Sequence, residues 1–230
     1  MNSRDFKEAA LVIVFLISAT VLIAYTNTDI ITSSYFFIDG QWPIGDQHPW
    51  KFLYKLDRIP SFILAIIGLA GFVISFFRPE KHHWAKPGIF LFLLLVIGPG
   101  LIVNATFKDH WGRPRPREIV QFQGKKEFLQ PWQKGIDGNG RSFPSGHTSA
   151  AFYMTAPYFI YRRNNKKKAR NWLIGGTIFA VFMSIARITQ GGHFLSDTIW
   201  ACGMVYLTAL LLSALLKLDK PTATSSVPTE

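Results

Sequence analysis

Cysteine is all but missing from this chain. Cys202 is the only one, so no intrachain disulfide can form, and its place inside an apolar run makes it a small packing residue. Acidic residues are scarce as well, 14 Asp and Glu against 25 Lys and Arg, for a formal net charge of +11. That excess does not form the stripe a nucleic-acid binder needs. The charges cluster between apolar runs, as in a polytopic membrane protein. There is no internal repeat. The first apolar run follows Arg4 and Lys7 but has no small-x-small cleavage site after it, so it reads as an uncleaved first helix rather than a signal peptide.

What is abundant is apolar side chain: 49% of the 230 residues are hydrophobic and 15% aromatic, high for a soluble protein of this size. Runs near the ~20 residues that span a bilayer occur at 9–25, 61–77, 87–107, 147–161, 172–187 and 194–216. The fourth is the shortest and contains Pro157. The expected fold is all-α, one polytopic membrane domain over residues 1–219. It is a six-transmembrane-helix bundle with its active site at the outer membrane face, followed by a polar, disordered tail at 220–230. Gly98-Pro99-Gly100 should bend the third span, because proline removes a backbone hydrogen bond. Gly175-Gly176, Ala201, Gly203 and Ala209 allow close helix contact.

Six crossings put both termini on one side. Basic residues divide almost evenly between the two sides, but the short loop RRNNKKKAR at 162–170 lies next to helix ends, where the positive-inside rule carries most weight. It places both termini in the cytoplasm and turns the long loops 26–60 and 108–145 outward. The first of these holds Tyr35, Phe36, Phe37, Trp42, Trp50, Phe52 and Tyr54 among few charges. Such a segment suits either the headgroup region or a loop folded over the bundle.

The chemistry-bearing residues sit at the outer edges of these runs. His193 and Asp197 are four apart at the start of a helix and so share a face. The carboxylate can accept one imidazole N–H and leave the other nitrogen free to attack phosphorus. Arg187, six residues earlier, can fork onto phosphate oxygens, and Gly191-Gly192 lets the connection turn tightly. A carboxylate tied to a helix neighbour in the core would look the same, but charges within membrane segments are rare and usually functional.

Pro144-Ser145 precedes Gly146-His147, which makes Ser145 an N-cap and the Gly146 amide part of an anion-binding helix end. His147 then stands where it can protonate a departing oxygen. Lys108 and Arg115 supply charge for a phosphate whose oxygens load up in the transition state. The prolines of Arg113-Pro114-Arg115-Pro116 stiffen their backbone. Arg113, Arg117, Lys125 and Lys126 stay open between membrane anchor and headgroup contact.

Taken together, Lys108-x6-Arg115-Pro116, Pro144-Ser145-Gly146-His147 and Arg187-x5-His193-x3-Asp197 resemble the type 2 phosphatidic acid phosphatase superfamily. The one departure is Ala186, where that family usually has serine. Ile97 through Gly100, Phe107 through Pro116 and Gln190 through Phe194 look like its bacterial lipid A 4′-phosphatase branch. The resemblance implies a two-step hydrolysis with no metal and no other cofactor. His193 attacks phosphorus, Asp197 orients it, and His147 protonates the leaving group. Lys108, Arg115, Ser145, the Gly146 amide and Arg187 hold the phosphoryl oxygens.

The expected setting is a bacterial inner membrane with the site outward. The partner is a lipid phosphate in the bilayer together with membrane lipids, with no nucleic acid, and nothing in the sequence points to a protein partner. Undecaprenyl pyrophosphate and phosphatidylglycerol phosphate phosphatases share the motifs. Other classes remain in view: a lipid phosphotransferase, a vanadate-dependent haloperoxidase, a metallohydrolase using His147, His193 and Asp197, or a non-catalytic anionic-lipid binder.

Overall fold

The computed structural model describes residues 3–56 and 58–218; the tail expected to be disordered, 220–230, lies outside them. Among the described residues the chain is all-helical and has no strand. Helix α1 (Ser3–Tyr25) is followed by short helices α2 (Thr28–Ser34) and α3 (Trp50–Leu56), then α4 (Ile59–Phe77) and α5 (Ala85–Leu95). Helix α5 runs on as a π-helical segment, Val96–Lys108. A long irregular stretch then leads to α6 (Gly146–Tyr153), α7 (Ala156–Tyr161), α8 (Lys166–Thr189) and α9 (Leu195–Leu215).

Among the described residues, five helical stretches are long and apolar enough to cross a membrane: Ser3–Tyr25, Trp50–Phe77, Pro79–Lys108, Lys166–Thr189 and Leu195–Leu215. Leu11, Phe15, Val21 and Leu22 of α1, and Ile63, Ile66 and Ile67 of α4, are exposed. Lipid rather than water suits such surfaces. The sixth expected span, 147–161, is not one long helix. It is the pair α6 and α7, 8 and 6 residues long, broken at Met154-Thr155. Pro157 opens α7, where its missing N–H costs nothing, and Thr155 turns its hydroxyl onto the Phe152 carbonyl at 2.8 Å.

The break rests on α8. A Cβ at Gly176 would lie 2.6 Å from the Thr155 amide nitrogen, whereas one at Gly175 would meet nothing within 4 Å. Of this glycine pair, then, only Gly176 makes the close contact that the sequence allowed. The buried core lies where α5, the π-helical segment, α6, α7, α8 and α9 converge, around Phe90, Leu94, Val103, Tyr153, Phe159, Met183, Val205 and Leu210. The Tyr153 hydroxyl donates to the Leu91 carbonyl at 2.8 Å, so even the core phenol is satisfied. Leu16 of α1 fits against Gly203, whose Cβ would come within 2.6 Å of it.

Gly98-Pro99-Gly100 does not break the third span. The helix widens to π register from Val96, with Pro99 inside it. A wider turn relieves the clash of the proline ring with the preceding carbonyl, and Asn104 donates its side-chain amide to the Pro99 carbonyl at 2.6 Å. At one end of the bundle Arg162, after α7, meets Asp5 at 3.2 Å and Glu8 at 3.3 Å from α1, and Ser213 at 3.3 Å from α9. The start of α1 and the end of α9 thus lie at the same end. The motif residues gather at the other.

Gly176→Ala should therefore cost about 1–3 kcal/mol by overpacking, read as a lower thermal midpoint in detergent. Gly175→Ala should leave the midpoint unchanged.

Candidate active site

Three segments meet at this end of the bundle, and each contributes through its backbone as well as its side chains. Lys108 closes the π-helical segment and is buried. Its ammonium lies against Gly146: a Cβ there would fall 3.0 Å from Lys108 Nζ and 2.5 Å from Asn104 Oδ1. The absence of a side chain at Gly146 is what lets the cation reach the amino end of α6. Ser145 is fully buried and caps that helix, its hydroxyl accepting from the Thr148 amide at 3.4 Å. Its own N–H donates to the Asp197 carbonyl at 3.1 Å, which joins the second motif to the third.

His193 is fully buried. Its Nδ1 lies 2.6 Å from the Ser142 carbonyl. A carbonyl only accepts, so the proton sits on Nδ1 and the lone pair on Nε2. Nε2 is buried with no hydrogen-bond partner. Burial pushes the imidazole down to about 3, Asp197 opposing and the Arg187 and Lys108 charges adding to the fall. The ring is therefore neutral at physiological pH and its Nε2 lone pair stays available.

Asp197 does not take the imidazole proton directly. Its Oδ2 is 3.7 Å from Nδ1, beyond hydrogen-bonding distance, and accepts instead from Ser142 Oγ at 2.6 Å and the Phe194 amide at 2.8 Å. Through Ser142 and the 193–194 turn it fixes the ring at one remove.

Arg113, left open between anchor and headgroup contact, is neither. It is completely buried, and its guanidinium binds Asp197 Oδ1 at 2.5 Å, Asp29 Oδ2 at 2.9 Å, Ser196 Oγ at 2.8 Å and the Leu129 carbonyl at 2.8 Å. It lies over the ring of Phe194 at 4.5 Å and that of Phe128 at 5.5 Å. Asp29, near the start of α2, also accepts from the Ser196 amide at 2.9 Å and hydroxyl at 2.5 Å. Sequence reading missed Asp29, Ser142 and Ser196. The available signal was a carboxylate beside the first apolar run and hydroxyls next to motif histidines.

Arg115 is half-buried, with Nε lacking a partner. Burial, and next the neighbouring Arg117, hold it below the ordinary arginine value, so an anion beside it relieves both. Glu118 fixes the backbone there, accepting from the Arg115 amide at 3.1 Å. Arg117 is exposed, but its N–H ties this loop to the Gly191 carbonyl at 3.1 Å. Lys126 pairs with Glu118 at 3.3 Å and bonds the Asn139 carbonyl; Lys125 is exposed.

Arg187, in the last turn of α8, is buried against Gly192, where a Cβ would meet its guanidinium at 2.5 Å. It also bonds the Gln190 side chain. Gly191 has φ +59, and an added Cβ would fall 2.4 Å from the Trp42 ring. The turn before His193 therefore needs glycine twice over.

The segment between α1 and α4 lies over the bundle at this end. Trp42, Phe37 and Phe122 pack with centroids 5.3 Å apart. Tyr54 of α3 stacks on His147 at 5.2 Å and 18°, and the Arg187 guanidinium lies 4.8 Å from its ring centroid. Tyr35 and Phe52 remain exposed.

A buried neutral imidazole with an unpartnered Nε2, fixed cations, a glycine at a helix start and a second histidine are the groups that phosphoryl transfer calls for. The PAP2 superfamily profile matches residues 89–220, a span that holds all three motifs. The chain belongs to the PAP2 superfamily. It is 33% identical over 197 residues to the lipid A 4′-phosphatase of Francisella tularensis subsp. novicida, an alignment covering 84% of this chain and 87% of that one. With the lipid A 4′-phosphatase of Rhizobium leguminosarum it shares 32% over 210 residues, covering 82% and 88%. The crystal structure of the PAP2-type phosphatidylglycerolphosphate phosphatase of Bacillus subtilis has the same fold. Its TM-score is 0.59 at 20% identity, with 93% of this chain and 98% of that one covered. The resemblance read from the motifs, including its narrower branch, is borne out, and the PAP2 chain is a membrane lipid phosphatase.

Removing Arg113 would strand two buried carboxylates. Arg113→Ala should destabilise the fold by about 3–5 kcal/mol, lowering the thermal midpoint in detergent. Arg115→Ala should keep that midpoint and weaken vanadate binding instead. Equal midpoints for the two variants would contradict these separate roles.

Proposed function

We propose that this PAP2 enzyme hydrolyses a phosphate monoester of a lipid A-type envelope glycolipid by two in-line displacements at phosphorus. The observation that carries the reading is His193: a neutral, buried ring, held on Nδ1 by the Ser142 carbonyl, with Nε2 unpartnered. In the first step Nε2 forms a bond to phosphorus as the bond to the lipid oxygen breaks. His147 gives its proton to that oxygen, and the lipid alcohol leaves. In the second, a water oxygen attacks the phosphohistidine, His147 takes a proton from it, and phosphate departs as His193 is regenerated.

Lys108, Arg115, Arg187 and the Gly146 amide hold the non-bridging oxygens as their charge grows. The Ser145 hydroxyl joins them. Asp197, 3.7 Å from Nδ1, favours the positive charge that the ring acquires when Nε2 bonds phosphorus. The names of two relatives, both lipid A 4′-phosphatases at 32–33% identity over most of this chain, support the substrate class. The protein lies in a bacterial inner membrane, both termini cytoplasmic and the site outward. The basic loop 162–170 supports this, since it lies at the opposite end of the bundle from the site and favours the cytoplasm.

Phosphate release from lipid A, undecaprenyl pyrophosphate, phosphatidylglycerol phosphate and phosphatidic acid, with a chelator present, tests the reading. Lipid A should be preferred, and His193→Ala should abolish release while keeping the protein folded. Preference for another lipid would overturn the substrate class, and wild-type turnover by His193→Ala would overturn the mechanism. His147→Ala should lower kcat/KM for a lipid monophosphate by about 10²–10⁴-fold and spare an activated aryl phosphate, whose leaving group needs no proton. Equal losses on both would remove the general-acid role.

A further inference from the structure

Tyr54 is far from any of the three motifs and comes from α3, in the segment between α1 and α4. Yet its ring is in contact with two of their side chains at once. It is stacked on His147 with an interplanar angle of 18° and centroids 5.2 Å apart, and the Arg187 guanidinium carbon lies 4.8 Å from its centroid. We propose that Tyr54 is a positioning residue for the phosphoryl-transfer step, holding the His147 ring in the plane from which it hands its proton to the departing oxygen. The inference rests on the general-acid role proposed for His147.

The geometry has a physical cause at each contact. A general acid in this site must carry a positive charge among fixed cations, with Lys108 and Arg187 nearby, and must also keep one orientation. An aromatic face meets both needs. Its quadrupole attracts an imidazolium and a guanidinium, and a near-parallel stack limits rotation of the imidazole about its χ2 bond, which is otherwise broad. Helix α3 is itself placed for this. It packs along the C-terminal half of α8, with Trp50 6.5 Å from Phe182, so α3 is set against the same helix that carries Arg187 in its last turn. Arg187 has other supports, Gln190 and the close approach of Gly192.

Neither contact uses the phenol hydroxyl, so the ring face is what matters. Tyr54→Phe should keep function, while Tyr54→Leu, apolar but with no π face, should not. The decisive measurement is kcat/KM, which reports the first transfer, for a long-chain lipid monophosphate and for p-nitrophenyl phosphate, in wild type, both Tyr54 variants and His147→Ala. With Tyr54→Leu the lipid value should fall about tenfold and the aryl phosphate value by less than about threefold. Tyr54→Phe should stay near wild type on both. A merely structural role would lower both substrates together.

Equal losses on the two substrates, no loss on either, or failure of Tyr54→Phe to keep the lipid rate would overturn the inference. If His147→Ala splits the substrates and Tyr54→Leu does not, the inference falls while the proposed function stands. If His147→Ala shows no split, the general-acid role falls and takes this inference with it.

Discussion

Everything at the reacting end of this molecule hangs on one buried cation. Arg113 sits between Asp29 and Asp197 with no solvent exposure, at 2.9 and 2.5 Å, so a single guanidinium pairs with two buried carboxylates, each of which would be costly to bury without a partner. What each carboxylate has left then does the organising. Asp197 turns its second oxygen to Ser142 and the Phe194 amide, which sets the carbonyl that holds the His193 ring. Asp29 binds the Ser196 amide and so anchors the start of α9 to α2. A buried ion network of this kind contributes little net stability but makes any one deletion costly. It fixes one arrangement of three distant segments.

The bilayer supplies the second constraint. Membrane helices must satisfy their own backbone, so irregular chain is confined to their ends, and the loops that carry the three motifs lie there. Two departures from regular α-helix occur inside the bundle, each near the site. The π-helical segment brings Asn104 and Lys108 to Gly146. The break between α6 and α7 keeps α6 short, so its amino end, carrying Ser145 and Gly146, stands over the core rather than being set by a full crossing. Gly176 makes room for that break.

Much of this was legible in the sequence. The apolar runs gave the long helices, because length and hydropathy decide a span with little help from neighbours. The motif spacings gave the family, and with it the residues that converge. Contacts made across the chain were not legible. Asp29 and Arg113 are 84 residues apart, and nothing in the Arg113-Pro114-Arg115 pattern separates the buried strut from the half-buried arginine two residues on. Likewise the four-residue spacing of His193 and Asp197 correctly put them on one face, but it could not reveal that the Ser142 carbonyl lies closer. Tyr54 was one of seven aromatics in a loop, and only packing distinguishes it. The span at 147–161 is the least secure in the sequence because Pro157 interrupts it, but the sequence could not say whether that proline makes a kink or a new helix start.

The account stands or falls on a covalent intermediate at His193, and the stereochemical course at phosphorus tests that most directly. A lipid monophosphate made chiral with oxygen isotopes and sulfur would be hydrolysed in isotopic water and the configuration of the released thiophosphate determined. Two in-line displacements, through His193 and then water, give net retention. Inversion would mean that water attacks the lipid phosphate directly, and the nucleophile assigned to His193 would be wrong.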